Sequence, residues 1–200
     1  MRCKLNVESC KFEKPATCNF QPATEYCRRY FTAAFKSFGH GAVMVAVSPV
    51  TGCGNCNSSA CNVARSWMFA AGKLGFELRI AAPKKFQPPK KLLEQAGGKI
   101  SCTEDLPAAA KGADLLYADV WVSMGKEAES AERLKLLTGY QINQKLVKLA
   151  ARDALVMHCL PAYRGKEIDE ETFEANASTI FTQAENRLHA QKAVLNWAVS

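Results

Sequence analysis

The sequence predicts a doubly wound α/β domain with a mostly parallel sheet and helices on both faces. Two observations carry this. Short, continuously apolar, β-branched runs end at proline or glycine, as strands buried on both faces do. Segments with helical periodicity separate those runs in regular alternation, the signature of a parallel sheet with crossover helices.

The elements follow in order from Ala42. "AVMVAVSPV" reads as the first strand, and a glycine-containing loop follows it. In "NVARSWMFAAGKLGF", Asn62 can cap a helix that carries Val63, Trp67, Ala70, Ala71 and Leu74 on one face. Gly75 stands where a helix end favours a left-handed residue. "ELRIAAP" is the second strand, and "PPKKLLEQAGG" a helix opened by proline and closed by glycine. "KISCTE" is a strand, then come a short Ala-rich helix and the strand "DLLYADVWV". "EAESAERLKLL" and "NQKLVKLA" read as helices, "ALVMHCL" and "STIFT" as further strands. A closing helix is expected to start at a capping box, Thr182 with Glu185, with Ala184, Leu188, Leu195 and Val199 along one side. The arrangement is Rossmann-like, with strands near residues 43–48, 77–82, 115–119 and 154–158.

Residues 1–41 differ from the rest. They are Cys-rich and basic, with one short helix expected around Ala23–Phe38, and they are assigned no role. A transit-peptide reading is weakened by Glu8, Glu13 and Glu25. The division is therefore 1–41 and 42–200.

The 200 residues are 48% apolar and 22% charged, the composition of a soluble globular protein. No apolar run is long enough to span a bilayer, and no signal peptide is recognisable. The expected location is cytoplasmic, with a mitochondrial or plastid compartment as the alternative. A formal charge of +7 suits either nucleic acid or small anionic substrates. The basic residues are scattered and form no Arg-rich helix or basic–aromatic interleaving, so no nucleic-acid partner is expected. Nor is a membrane partner. Nine cysteines, an odd count without a secretory signal, argue against a disulfide framework. Cys53-x-x-Cys56 with Cys61 resembles half of a zinc site, but no second pair or His follows at finger spacing.

Ligands of doubly wound sheets bind outside the carboxyl ends of the strands. The strand ends here are "GCGNCNSSACN", "DVWVSMG", "HCLP" and "QAENRLH". Each polar residue in them has an ordinary alternative: Asp119 a loop cap, Ser123 a helix cap, Arg187 a solvated helix residue, Cys159 a small buried side chain. Their joint placement on one edge favours a site. A dinucleotide fingerprint would need a third glycine, and an acidic residue ending the second strand; both are missing. In "VMHCLP", His158 and Cys159 are adjacent and cannot converge well on one ion. They read as cleft-lining groups.

"DVWVSMG", "HCLPAYRG" and "QAENRLHAQKAV", in this order and spacing, resemble the second, ornithine-binding domain of the ornithine carbamoyltransferases. In the same wider family, aspartate transcarbamoylases replace the Cys of HCLP. Putrescine carbamoyltransferases keep it but resemble this chain less after "DVW". The resemblance covers roughly residues 42–200 and implies a reaction of carbamoyl phosphate with L-ornithine that yields L-citrulline and phosphate. It implies neither cofactor nor metal, and a homotrimeric partner state. It also implies roles. Asn62 would help hold the ornithine α-carboxylate, with Asn55 a further candidate in the same loop. Asp119 would pair with the α-ammonium, and Ser123 and the Met124 backbone would complete the clamp. Cys159 would sit by the δ-amine, Leu160 would offer its carbonyl, and Arg187 would reach the carbamoyl oxygen.

Two departures stand beside these matches. The family's Gly-Asp-Gly-Asn-Asn loop is here Gly52-Cys53-Gly54-Asn55, then "CNSSAC", then Asn62; an exposed mobile loop is expected. The family's Ser-x-Arg-Thr-Arg and His-Pro-x-Gln segments, which bind carbamoyl phosphate, do not occur in the 200 residues. A non-catalytic binding or interaction module is therefore the competing expectation, and a zinc-bearing module on the N-terminal cysteines a third.

Overall fold

The computed structural model describes residues 42–47, 62–122 and 130–199. The helix expected at 23–38, the "CNSSAC" loop, Cys53, Asn55, Ser123 and Met124 lie outside the described residues.

Five parallel strands form one sheet: β1 Val43–Val47, β2 Glu77–Ala81, β3 Lys99–Thr103, β4 Leu115–Ala118 and β5 Leu155–His158. Their order is β3-β2-β1-β4-β5. The chain winds outward from β1 in one direction through β2 and β3, then in the other through β4 and β5. The winding direction reverses between β1 and β4, the switch point at whose carboxyl edge doubly wound sheets bind ligands. Asp114 Oδ2 accepts the Val43 N–H at 2.7 Å and ties the start of β1 to the loop before β4.

Alternation of side chains sorts each strand between two cores. Met44, Ala46, Leu78, Ile80, Leu115 and Tyr117 face one side. There they meet α1 (Asn62–Leu74) and α2 (Lys90–Ala96). Val45, Val47, Leu116, Ala118 and Val156 face the other. That side is covered by α3 (Leu106–Ala110), α5 (Gln144–Val147), α6 (Glu170–Ala175) and α7 (Ala177–Ala198). The expected stripe of α1 packs against its core as the periodicity requires. Helix α4 (Ser130–Leu137) brings Leu137 and Arg133 against Phe86, which closes the short 3-10 turn Lys84–Phe86 after β2, beside Trp121. Asp105, Asn143 and Asp169 cap α3, α5 and α6 by accepting backbone N–H bonds. Among the described residues no helix is long and apolar enough to cross a membrane.

Helices α1 and α2 approach at a glycine contact. A Cβ on Gly72 would fall 1.9 Å from the Ala96 carbonyl oxygen, and one on Gly98 2.8 Å from Gly72 Cα. Gly98 also adopts a left-handed φ of 79°. Gly72→Ala must therefore displace backbone, not a side-chain tip. A loss of about 3 kcal/mol in unfolding free energy is expected, the upper range for overpacking. A urea midpoint unchanged from wild type would show that α2 yields freely.

One expectation fails. "STIFT" is not a strand, and Thr182–Glu185 is not a capping box: both lie inside α7, which follows α6 after the single residue Asn176. Thr179 and Ile180 favour strands locally, but packing overrides that preference. Ile180 is fully buried against the core that holds Val156, and Phe181 meets the edge of the Phe173 ring. β5 is thus the edge strand. Gln183 of α7 reaches its exposed side, where Oε1 accepts the His158 N–H at 3.1 Å.

Candidate active site

The site grows from the register of β4 and β5. Ala118 pairs with His158, so the next residues, Asp119 and Cys159, leave adjacent strand ends side by side. Cys159 Sγ donates to Asp119 Oδ1 at 3.0 Å, and the Val120 N–H donates to the same oxygen at 2.8 Å. Asp119 is only 5% exposed. Tyr117 lies below them on the same face, its ring edge-on to Trp67 of α1 at 5.3 Å. Its hydroxyl accepts from Gln183 Nε2 at 3.0 Å.

This setting fixes the state of the thiol. Burial, the Asp119 charge and the hydrogen bond to that carboxylate push the Cys159 pKa up to about 12 from an ordinary 9. Burial first, and then the neighbouring Cys159, also raise the Tyr117 hydroxyl. Cys159 is therefore a thiol that holds Asp119 in place, with little thiolate to act as a nucleophile. The sign for stability follows. The unfolded thiol ionises near 9 while the folded one keeps its proton, so its contribution is complete below pH 9 and is lost as pH rises toward 12. Alkylation of Cys159 at pH 8, followed by peptide mass spectrometry, is expected to be slow and to accelerate in Asp119→Asn. Fast labelling of the wild type would contradict the buried-donor reading.

His158 corrects an expectation. It does not line the cleft: its side chain is fully buried. Neighbouring strand residues point to opposite faces, so His158 and Cys159 are separated by the sheet they share. The ring Nδ1 accepts the Leu160 N–H at 2.9 Å, and Nε2 faces Glu167 Oε1 at 3.2 Å. Leu160 follows in the left-handed region at φ 50°, and the Leu160–Pro161 peptide is cis.

Arg187 sits one helical turn beyond Gln183 on the same face of α7. It is exposed. Asn62 is the first residue of α1, at the far side of the β1 loop. Of the expected site residues, then, Asp119, Cys159 and Leu160 are brought together, and Arg187 is held at the margin. Sequence reasoning passed over Tyr117, Glu167 and Gln183. Gln183 opens the quoted "QAENRLH" stretch and was within reach; Glu167 carries no signal in a surface-like "GKEID". Among the described residues no group of three or more His, Cys, Asp or Glu side chains is placed to hold a metal ion.

With the geometry in place, likeness to known proteins becomes informative. Residues 52–198 match the family model described as aspartate/ornithine carbamoyltransferase, Asp/Orn binding domain. An ornithine carbamoyltransferase of Campylobacter curvus is 48% identical over 143 residues, 68% of this chain and 47% of that protein. One from Hyperthermus butylicus is 50% identical over 141 residues, 67% and 45% respectively. The crystal structure of anabolic ornithine carbamoyltransferase from Campylobacter jejuni superposes with a TM-score of 0.73 at 35% identity, over 87% of this chain and 57% of that one. Ornithine carbamoyltransferase from Pyrococcus furiosus gives 0.68 at 39%, over 84% and 53%. The chain spans about half the length of the curated relatives it matches. By the family model, which takes in most of its length and the ends of β4 and β5 that carry Asp119 and Cys159, the chain belongs to the aspartate/ornithine carbamoyltransferase family through its Asp/Orn binding domain.

Proposed function

We propose that this chain supplies the L-ornithine side of an ornithine carbamoyltransferase, which converts carbamoyl phosphate and L-ornithine into L-citrulline and phosphate. The observation that carries the reading is the buried Asp119, held by Cys159 at the carboxyl ends of neighbouring strands beside the switch point. An acidic group there can pair with the α-ammonium of an amino acid, whereas Cys159, as a neutral donor, leaves the carboxylate charge intact. The δ-amine must attack as the neutral amine. Its lone pair forms the C–N bond at the carbamoyl carbon and the carbonyl oxygen becomes an oxyanion; the C=O then re-forms as the C–O bond to phosphate breaks, and the departing phosphate takes the proton that the amine loses. Arg187 stabilises that oxyanion, and the Leu160 carbonyl orients the amine.

Phosphate recognition needs several convergent cationic or backbone donors, and the motifs that provide them in the family do not occur in these 200 residues. A second wall is therefore required. Phe181, Leu188, Leu195 and Trp197 on α7, and Val199 just after it, remain about half exposed or more, an apolar surface suited to such a neighbour. The assembled enzyme is proposed to be a cytoplasmic homotrimer, by family resemblance, which sedimentation would check.

The purified chain alone is expected to form no citrulline above background, and to do so once a carbamoyl-phosphate domain is supplied. Robust turnover by the chain alone would place an anion site in residues 1–41. No turnover in either arm would favour the second reading, a non-catalytic binding module, for which the missing phosphate motifs speak.

A further inference from the structure

We infer that Glu167 and His158 are positioning residues that set the Leu160 carbonyl, and through it the reacting amine; this rests on the function proposed above. The two side chains are fully buried on the sheet face opposite Cys159, where neither can touch substrate. Their hydrogen bonds form a directed chain. The Leu160 N–H occupies His158 Nδ1 at 2.9 Å, so the ring proton resides on Nε2 and is donated to Glu167 Oε1. That same oxygen accepts the Tyr163 N–H at 2.6 Å, which clamps the loop after Pro161 from below. Glu167 thus fixes the tautomer, the tautomer fixes the Leu160 N–H, and the N–H holds a non-glycine residue at φ 50°. Such a conformation persists only where its surroundings over-determine it. Once the Leu160 N–H is released, φ is free to leave 50° and the Leu160 carbonyl loses its fixed direction.

Glu167 Oε2 is buried without a hydrogen-bond partner. One oxygen therefore does the positioning, and Glu167→Gln, which keeps that acceptor, is the conservative variant; Glu167→Ala removes it. In the enzyme completed with a carbamoyl-phosphate domain, Glu167→Ala is expected to raise KM for L-ornithine about tenfold and lower kcat/KM about 10²-fold. KM for carbamoyl phosphate should not move, and Glu167→Gln should stay near wild type. A merely structural role would lower kcat through the active fraction and leave the ornithine KM unchanged, and that result would overturn the inference. Should Glu167→Ala not fold, His158→Asn and His158→Phe decide. Asparagine can still accept the Leu160 N–H and should keep the ornithine KM; phenylalanine cannot and should raise it. Equal values for the two would overturn the inference.

The second arm needs no activity. Imidazole ¹⁵N correlation spectra of this chain, with its three histidines assigned by substitution, should show His158 as the Nε2–H tautomer, retained in Glu167→Gln. A wild-type His158 protonated on Nδ1 would overturn the tautomer lock. If the completed wild-type enzyme makes no citrulline while this spectrum holds, the function reading fails and the lock does not.

Discussion

Replacing Arg187 by alanine in the completed enzyme should lower kcat for citrulline formation by about 10²–10³-fold, the usual loss for one oxyanion donor. The reason lies in what the other groups cannot do. Cys159 is a thiol already donating to Asp119, and His158 is sealed on the opposite face of the sheet. Neither can meet charge developing on the carbamoyl oxygen. Arg187 is exposed on the face of α7 that carries Gln183 toward β5, so its guanidinium is available to a partner domain. Lysine at this position should rescue only in part, because a point charge lacks the planar fork of arginine. The ornithine KM should change little. A variant retaining more than a tenth of wild-type kcat would remove Arg187 from the reaction.

Asp119→Asn is expected to act on the other parameter. Truncating one partner of a buried, hydrogen-bonded charge pair costs about 2–5 kcal/mol, so KM for L-ornithine should rise by roughly 30-fold or more. 5-Aminopentanoate, which keeps the carboxylate and the reacting amine but has no α-ammonium to be paired, should lose far less. The substitution also removes the charge that, after burial, does most to keep the Cys159 thiol protonated, so the thiol should label faster as ornithine binding weakens. These two readouts locate the effect at one contact. If ornithine and 5-aminopentanoate suffer equally, Asp119 is holding the loop and not the α-ammonium.

The sheet was legible because its strands announce themselves. VMVAV and LLYA are short, wholly apolar runs bounded by loops, as strands buried on both faces are, and ELRIA and LVMH are mostly apolar runs of the same length. Asp119 and Cys159 were legible for the same reason, since the rule of carboxyl ends needs only the strand boundaries. The mistake at "STIFT" marks the limit of that method. Ile180 and Thr179 carry strand preference, and only the three-dimensional core shows that Ile180 is buried at helical spacing with Gln183. His158 misled differently. Adjacency in "HCLP" suggested two groups in one cleft, while the period of two along β5 assigns them to opposite faces; the residue count alone contained that information. Glu167 was not legible at all. An acidic residue in a polar loop looks solvated until its buried partner is known.

The most direct measurement is substrate discrimination by the completed enzyme: kcat/KM for carbamoylation of L-ornithine, L-aspartate and putrescine under one set of conditions. The proposed pairing of Asp119 with an α-ammonium, the expected grip of Asn62 on an α-carboxylate that putrescine lacks, and the Cys of HCLP together predict L-ornithine as the preferred substrate by at least about 10²-fold over either competitor. A preference for L-aspartate or putrescine, or carbamoyl transfer to none of the three, would contradict the assignment of this carboxyl edge as an ornithine site.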